Sequence, residues 1–371
     1  MRDGKFQQVA VIGAGIAGAT CARALKLAGH SVHVFDKSRG PGGRLATRRV
    51  EWVDRLGQRC TSRLDHGAVG ITARTAPFQA FVSEALRAGG LAEWTPALAS
   101  GSSAVRDDER CYVPVPDMPS LCRRQLVGAA ATWSFAVDDL HKGALGWQLQ
   151  AGSERHPEPF DAVVLALPPA QAAALLGLHR SDWARHASVA PMQPCWTLMG
   201  ITDASKDAPH DALGWDLARP STGPLEWVLR NDARPGRARV PGQAHWVLHA
   251  RLGWSRRHLE QPAAWVQQQM QAALVDYLGR PVDWHHCAVH RWRYALPQAR
   301  KIAAAESFWW DAAQGLGICG DFLGGSGAEG AWLSAQSLSA AMLQRGSGTG
   351  QVSPAPAAHE AAHQTVRHLA A

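Results

Sequence analysis

The residues whose spacing most clearly serves chemistry lie in "VIGAGIAG", from Val11 to Gly18. In a GxGxxG pattern after an apolar strand, the first glycine permits a tight turn and the second lets the backbone approach a phosphate. The third lets the following helix pack closely on the strand. That helix offers its unpaired N–H groups and positive dipole end to an anion. The segment therefore predicts a pyrophosphate site, whose residues are Gly13, Ala14, Gly15, Ile16, Ala17 and Gly18.

An acidic residue follows at the expected distance. Asp36 ends the apolar run "SVHVF" and precedes Lys37. A carboxylate there accepts hydrogen bonds from a ribose diol and repels a 2′-phosphate, which disfavours an NADP-type adenosine. A glycine turn without a ligand is the competing interpretation. It is disfavoured because strand, glycines, helix, second strand and acid all occur at the expected offsets.

Two further groups indicate a cofactor that stays bound. "GPGGR" places Gly43 beside Arg44, whose planar fork suits a pyrophosphate. Near the C-terminus, Gly320 and Asp321 end a predicted strand, and Asp321 is placed to bind a ribityl hydroxyl. A long helix is then predicted to open with Glu329, Gly330 and Ala331. Its N–H groups would stabilise the flavin edge that becomes anionic on reduction.

The elements that must position these residues predict an α/β protein. A chain of 371 residues, 46% of them hydrophobic, suggests about two domains. We predict a discontinuous Rossmann-type FAD-binding domain over 1–75, 110–180 and 300–345. An α+β substrate domain with an antiparallel sheet is predicted over 76–109 and 190–299, and 346–371 is expected to be a flexible tail.

Composition narrows the class of protein. The formal net charge is +7, but no nucleic-acid motif accompanies the scattered arginines, so we expect a basic enzyme that attracts small anionic substrates. The sequence contains no apolar run long enough to span a membrane. The absence of a predicted signal peptide and seven cysteines without a CxxC pair favour a reducing cytoplasm. The sequence leaves the oligomeric state open.

A histidine-rich segment raises the question of a metal. "WHHCAVH", residues 284–290, offers three histidines and a cysteine. A structural zinc site needs about four ligands in closed geometry, and no second cluster supplies them. We therefore predict a structural strand and no metal.

Taken together, the motifs resemble the glutathione-reductase-type FAD family in its amine-oxidase branch, and more narrowly the bacterial renalases. The segments that carry the resemblance are "VIGAGIAG", "SRGPGGRLATRR", "DHGA", "YVPVPDMPSL", "FDAVVLALPPAQAAALL", "WVLHA", "HRWRYA" and "GDFLGGSGAEGAWLSA". The resemblance implies non-covalent FAD. It also implies oxidation of 2- or 6-dihydro isomers of NAD(P), which restores NAD(P)⁺ and passes electrons to O₂ to give H₂O₂.

The resemblance also assigns cofactor contacts. It implies that Gly13, Gly15, Gly18, Asp36, Gly43 and Arg44 hold the ADP half, and that Val137 binds adenine through its backbone. Asp321, Glu329, Gly330 and Ala331 would hold the ribityl chain and flavin, with His66, Gly67 and Ala68 beside the ring. Family members commonly carry a glutamine and an aromatic residue after "HGA", whereas Val69, Gly70 and Ile71 follow here. That departure implies a less polar pocket.

The substrate side is less sharply defined. The pocket candidates are His249, Arg293, Tyr294, Asn231 and His66. His249 has the ordinary alternative of a core or loop histidine, and Asn231 that of a residue that turns the chain. Arg293 and Tyr294 lie just before the chain re-enters the cofactor domain, where contact with the pocket is an open question. No catalytic triad or carboxylate pair is apparent, as expected where the cofactor performs a hydride transfer.

Two rival functions remain open. The first is a flavin amine oxidase or desaturase-like enzyme. Many flavin amine oxidases resemble one another in a lysine near the flavin, for which Lys301 is the candidate here. The second is a flavin-binding redox sensor without turnover.

Overall fold

The structure, a computed structural model, describes residues 7–102, 110–203, 213–298 and 306–344. Its strands are β1 (Gln8–Ile12), β2 (Ser31–Asp36), β3 (Arg48–Val53), β4 (Arg59–Leu64), β5 (Leu91–Glu93), β6 (Tyr112–Pro114), β7 (Ala130–Trp133), β8 (Asp139–Gly143), β9 (Gly146–Ala151), β10 (Glu154–Arg155), β11 (Ala162–Leu165), β12 (Met192–Asp203), β13 (Leu217–Ala218), β14 (Leu225–Arg230), β15 (Gln243–Ala250), β16 (Trp284–Pro297), β17 (Trp309–Asp311) and β18 (Leu316–Ile318). Its helices are α1 (Ile16–Leu27), α2 (Ala76–Arg87), α3 (Ser120–Gln125), α4 (Pro169–Leu176), α5 (Ser181–Ser188), α6 (Leu252–Arg257), α7 (Ala263–Leu278), α8 (Asp321–Gly324) and α9 (Gly327–Leu343), with a 3₁₀ turn at Asn231–Ala233.

A six-stranded sheet carries the N-terminal motif. Its order is β17-β18-β11-β1-β2-β7, and all neighbours except β17 and β18 are parallel. Val9–Ile12 are buried because hydrophobic clusters cover both faces of the sheet, as parallel sheets require. Strands from the N-terminus, the middle and the C-terminal part of the chain meet in this sheet. The predicted α/β fold, with a discontinuous Rossmann-type sheet, is confirmed.

Two glycines make the turn from β1 into α1 possible. Gly13 has φ +103°, and a Cβ there would lie 2.4 Å from the carbonyl oxygen of Ala166. A Cβ on Gly18 would lie 1.8 Å from the Gly13 oxygen, so any side chain would push α1 away from the turn.

A five-stranded antiparallel sheet forms the second unit, in the order β13-β14-β15-β12-β16. One face packs against α7, and Leu248, Met270 and Leu274 belong to one buried cluster there. The other face packs against the β3–β4 hairpin, and Met199 and Trp52 belong to one buried cluster there. The predicted antiparallel sheet with a helix on it is therefore present.

The strand register aligns four side chains on the hairpin-facing side of this sheet. Trp227 pairs with His249, His249 with Thr197, and Thr197 with His290. Directly paired residues of antiparallel strands share a face. A row of mixed polar and aromatic side chains thus crosses four strands.

The packing of α2 differs from the predicted division of the chain. Phe78 on α2 belongs to the core cluster of the six-stranded sheet and meets Trp332 of α9 at 5.5 Å between ring centroids. The predicted boundary at residue 76 instead placed α2 with the substrate domain. The domain boundaries otherwise stay a prediction, and the expected tail lies outside the described residues. No helix of the described residues is long and apolar enough to cross a membrane.

Candidate cofactor and substrate site

The start of α1 is open to a ligand. Gly15 is its N-cap, and no side chain caps the helix. A Cβ on Gly15 would meet nothing nearer than the Cα of Gly43, at 3.9 Å. A side chain there would thus extend into free space, directly over the helix N–H groups. The arrangement fits a pyrophosphate, whose oxygens accept such N–H groups.

Asp36 fixes this loop to the end of β2. One carboxylate oxygen accepts a hydrogen bond from the Ala14 N–H at 2.7 Å, and the other accepts one from the Ser38 N–H at 2.7 Å. Lys37 is exposed beside it. The segment after β7 joins the same place, because Phe135 N–H donates to the Asp36 carbonyl and Val137 N–H to that of Phe135. The residues predicted for the ribose and the adenine are therefore neighbours.

Arg44 and Asp321 meet in a bidentate ion pair. Each guanidinium nitrogen lies 2.7 Å from a carboxylate oxygen, and the Asp321 side chain is 3% exposed. Arg44 also donates to the carbonyl of Ala295, at the end of β16. The sequence suggests two independent contacts, one to pyrophosphate and one to a ribityl hydroxyl. In the structure the two side chains bind each other and join the second glycine loop to Gly320 and α8.

The C-terminal helix α9 begins at Gly327, two residues before the predicted opening at Glu329. The Glu329 carboxylate accepts hydrogen bonds from the N–H and hydroxyl of Thr75, at 2.7 and 2.6 Å. It therefore stabilises the start of α2. Position 330 requires glycine for a steric reason, because a Cβ there would lie 1.5 Å from the Gly325 oxygen. Ala331 is buried next to it.

His66, Gly67 and Ala68 connect these loops to the second sheet. Ala68 N–H donates to the Arg44 carbonyl, and a Cβ on Gly67 would lie 2.0 Å from the same oxygen. The indole N–H of Trp292 donates to the His66 carbonyl at 2.9 Å. The His66 ring stacks on Trp292 at 5.2 Å. The segment predicted to lie beside the flavin is thus held between Arg44 and β16.

Two histidines of this region are neutral at physiological pH. Burial is the largest cause that lowers the pKa of His66 and of His249, each to about 3. For His249 the positive charge of Arg234 and the neighbouring His66 add to the effect. The Nδ1 of His66 and the Nε2 of His249 are inaccessible to solvent and have no hydrogen-bond partner among the described residues. Buried polar atoms rarely lack a partner, which makes both rings candidates for ligand contact.

A buried charge cluster lies beside these rings. The Asp65 carboxylate pairs with Arg234 at 3.1 Å and with Arg237 at 2.6 Å, and it accepts a hydrogen bond from the Thr47 hydroxyl. All three charged side chains are at most 5% exposed. Burial is the largest cause that lowers the pKa of Arg234; the charge of Asp65 raises this pKa, and the positive charge of Arg237 lowers it further. Because two guanidinium groups share one carboxylate, the cluster is net positive.

Sequence reasoning did not find this cluster. Arg234 and Arg237 lie in the segment "ARPGRAR", which reads as a basic turn, and Asp65 precedes "HGA". Arg234 and Asp65 are 169 residues apart, so no local spacing connects them.

Two of the pocket candidates have other roles. Asn231 is 1% exposed, accepts a hydrogen bond from the Asp65 N–H and donates to the Arg63 carbonyl, so it joins the 3₁₀ turn to β4. Arg293 forms an exposed ion pair with Glu260, which also binds Arg291. Both side chains are therefore engaged in contacts within the protein. Tyr294 is half-buried next to Ala295.

The structure also describes Val69, Gly70 and Ile71, the residues that depart from the family pattern. Ile71 is 1% exposed in the core, and a Cβ on Gly70 would lie 2.3 Å from the Cys111 sulfur. The Val69 carbonyl accepts a hydrogen bond from Arg234. The expectation that these side chains make the pocket less polar is not supported for Ile71, which points into the core.

Among the described residues, no three histidine, cysteine or acidic side chains are grouped to hold a metal ion. His285 of the histidine-rich segment is engaged with Asp203 at 2.6 Å.

Comparison with known proteins agrees with this architecture. A family model for the NAD(P)-binding Rossmann-like domain matches residues 11–85. A structure described as a protoporphyrinogen oxidase from Exiguobacterium sp. 255-15 is similar with a TM-score of 0.66 and 11% identity, over 91% of this chain and 99% of that one. The structure of cyclohexylamine oxidase from Brevibacterium oxydans IH-35A is similar with a TM-score of 0.61 and 15% identity, over 92% of this chain and 99% of that one. The structure of wild-type putrescine oxidase bound to putrescine is similar with a TM-score of 0.58 and 12% identity, over 91% of this chain and 99% of that one. At these identities the likeness shows the fold: a Rossmann-like sheet combined with an antiparallel-sheet unit.

Proposed function

We propose that this chain is an FAD-dependent oxidase whose electron donor is a small anionic molecule, a 2- or 6-dihydro isomer of NAD(P). The observation that carries the proposal is the charge of the site. The net-positive cluster of Asp65, Arg234 and Arg237 lies beside the neutral rings of His66 and His249. A net positive charge at a site attracts an anion and repels a cation.

The cofactor assignment rests on the glycine loops. Gly15 and Gly43 leave room above the uncapped start of α1, where a pyrophosphate would bind. Asp36 is hydrogen-bonded to that loop and would hold a ribose diol, and Arg44 and Asp321 would lie beside the middle of the cofactor. When bound, FAD would supply the hydride acceptor and the route of electrons to O₂.

The protein's own contribution would be binding and orientation. His66 and His249 would contact the donor as neutral hydrogen-bonding groups, and the tight packing of Gly67 on Arg44 would fix the wall beside the flavin. Positioning of the donor carbon at about 3–3.5 Å from its acceptor is the main demand of such a reaction. The products would be NAD(P)⁺ and H₂O₂. The choice of dihydro isomer rests on the resemblance to bacterial renalases.

Amine oxidation is the second candidate, because two of the similar folds are named as a cyclohexylamine oxidase and a putrescine oxidase. A protonated amine would meet the positive cluster, with Asp65 and Asp321 already paired to arginines. Of the lysines that the structure describes, Lys26 and Lys142 donate to carbonyls elsewhere and Lys37 is exposed at the end of β2. Lys301 lies outside the described residues.

Anaerobic mixing of the purified holoenzyme with candidate donors, followed by flavin absorbance, tests the proposal. The 2- and 6-dihydro isomers should bleach the flavin quickly. Ordinary 4-dihydro-NADH should react slowly because its donor carbon is misplaced, and simple amines should not react. Lys301→Met should change the rate by less than about threefold, or about 0.7 kcal/mol of barrier. Rapid bleaching by an amine, lost in Lys301→Met, would establish the amine-oxidase alternative.

A further inference from the structure

Arg48 is exposed at the start of β3, on the side of the hairpin that faces β16. It begins β3, and Val50 and Trp52 of the same strand are buried against the five-stranded sheet. Because strand side chains alternate, Arg48 lies on the same face as these two residues. Trp52 meets the ring of His285 at 5.3 Å, near the start of β16. Arg48 therefore faces a part of β16 that lies beyond His285, at the exposed edge of the site.

Three imidazole rings, those of His66, His286 and His290, lie close enough to this guanidinium for its charge to lower their pKa values. His290 meets the ring of His66 edge-on at 5.0 Å, and it meets Trp292 at 4.4 Å. His286 lies four residues before His290 in β16, on the same face of the strand. Burial lowers the pKa of His286 and of His290, and the positive charge of Arg48 is the next cause for both. The three rings are therefore neutral donors close to one fixed positive charge.

Arg48 has no structural partner within the part of the chain that the structure describes. Its neighbour Arg49 points to the other side of the strand and pairs with Glu51 at 3.5 Å. Arg44, Arg234 and Arg237 each have a carboxylate. An arginine turned towards a half-buried site, without an acid to neutralise it, is available to an anion from outside.

The buried rings supply an independent sign of a ligand. His66 is 8% exposed, yet its Nδ1 has no hydrogen-bond partner among the described residues, and the same holds for Nε2 of His286. Buried polar atoms without partners are uncommon in folded proteins, and a water, an ion or a ligand is one way to satisfy them. The positive charge of Arg48 acts on both rings.

We propose that Arg48, His286 and His290 form an oxyanion subsite at the mouth of the site, which takes a phosphate group of the electron donor. The planar fork of Arg48 suits two phosphate oxygens, and the neutral imidazoles add N–H donors without competing for charge. The identity of the donor rests on the proposed function. The subsite itself rests on the placement of Arg48 and the unpartnered rings.

Calorimetric titration of the holoenzyme with inorganic pyrophosphate tests the subsite directly. Arg48→Ala should weaken binding about tenfold or more, which corresponds to about 1.4 kcal/mol. Arg49→Ala, one residue along on the opposite side of the strand, is the matched control and should change affinity by less than about twofold. Arg48→Gln serves as a second variant, and thermal unfolding checks that each variant is folded.

The outcomes separate cleanly. Equal weakening by Arg49→Ala would assign the effect to general surface charge and overturn the proposal. Unchanged affinity in both Arg48→Ala and Arg48→Gln would also overturn it. So would the absence of pyrophosphate binding by the parent protein. With donors, Arg48→Ala should raise the half-saturating concentration of a dihydro-NAD isomer about tenfold. The corresponding phosphate-free dihydronicotinamide riboside should show no such change. If neither donor bleaches the flavin, the proposed function fails, and the pyrophosphate titration still decides the subsite.

Discussion

Gly15 and Gly18 lie in the same motif, but a methyl group on each would meet very different surroundings. At Gly15 the nearest atom is 3.9 Å away, so Gly15→Ala should fold normally and obstruct the cofactor. We expect FAD affinity to fall about tenfold or more, because one or two charge-assisted hydrogen bonds at about 1.5–3 kcal/mol each are lost. Equilibrium titration of the apoprotein with FAD measures this.

Gly18→Ala is the matched comparison. Its Cβ would lie 1.8 Å from the Gly13 oxygen, so the turn or the helix must move. The free energy of unfolding should fall by about 1–3 kcal/mol, as for other overpacked positions. Equal loss of stability in both variants would contradict the interpretation of Gly15 as a ligand-facing position.

The lowered pKa values of His66 and His249 predict how stability depends on pH. Both groups stay neutral when folded but take up protons near pH 6.5 when unfolded. Their stabilisation is therefore fully present above about pH 6.5 and is lost as pH falls towards 3. The loss should be about 1.4 kcal/mol per pH unit for each group.

Urea unfolding at pH 7 and pH 5 compares the parent protein with His249→Gln. The variant should lose less stability on acidification than the parent, by about 1.4 kcal/mol per pH unit. An identical pH dependence in the two proteins would show that His249 is not held neutral in the folded state.

At the scale of elements, local motifs were predictable and long-range contacts were not. The glycine turn, Asp36 and the strand at 162–165 follow from residues close in sequence, and the structure places them as expected. The row of Trp227, His249, Thr197 and His290 depends on the register of four strands, which includes irregular pairings. Register is set by turn lengths and bulges that the apolar pattern does not specify.

The same reason explains the changed roles of several predicted contacts. Arg44 and Asp321 were each recognisable as polar groups after a glycine segment, but their mutual ion pair joins residues 277 positions apart. Glu329 likewise binds the start of α2, 254 residues away in sequence. A charged residue predicted from a motif therefore still has to be traced to its actual partner.

The Asp65 cluster joins the end of β4 to the segment after β14, so its removal should loosen that junction. Asp65→Asn leaves two buried guanidinium groups without their counter-ion. We expect a loss of about 3–5 kcal/mol in the free energy of unfolding, as for other buried pairs broken on one side. Denaturant titration measures it.

The control is Asp283→Asn, which removes one acid of an exposed pair with Arg55. Exposed pairs contribute about 0–1 kcal/mol, so little change is expected. A small effect of Asp65→Asn, similar to that of the control, would show that the cluster does not hold the two segments together.

At the scale of the whole molecule, the net charge of +7 acts in the same direction as the site. Summed positive charge raises the association rate of an anionic donor and lowers that of a cationic one. Salt screens this effect, since the Debye length falls from about 30 Å at 0.01 M to about 10 Å at 0.1 M ionic strength.

The second-order rate constant for flavin reduction by a dihydro-NAD isomer should therefore fall several-fold between these two ionic strengths. The limiting rate at saturating donor should stay nearly constant, because the chemical step takes place inside the site. Stopped-flow absorbance at several donor concentrations separates the two quantities. The phosphate-free riboside is the control, and its rate constant should show little salt dependence. A rate constant for the anionic donor that is unchanged or rises with salt would mean that charge does not guide the donor, and the main argument for an anionic substrate would be lost.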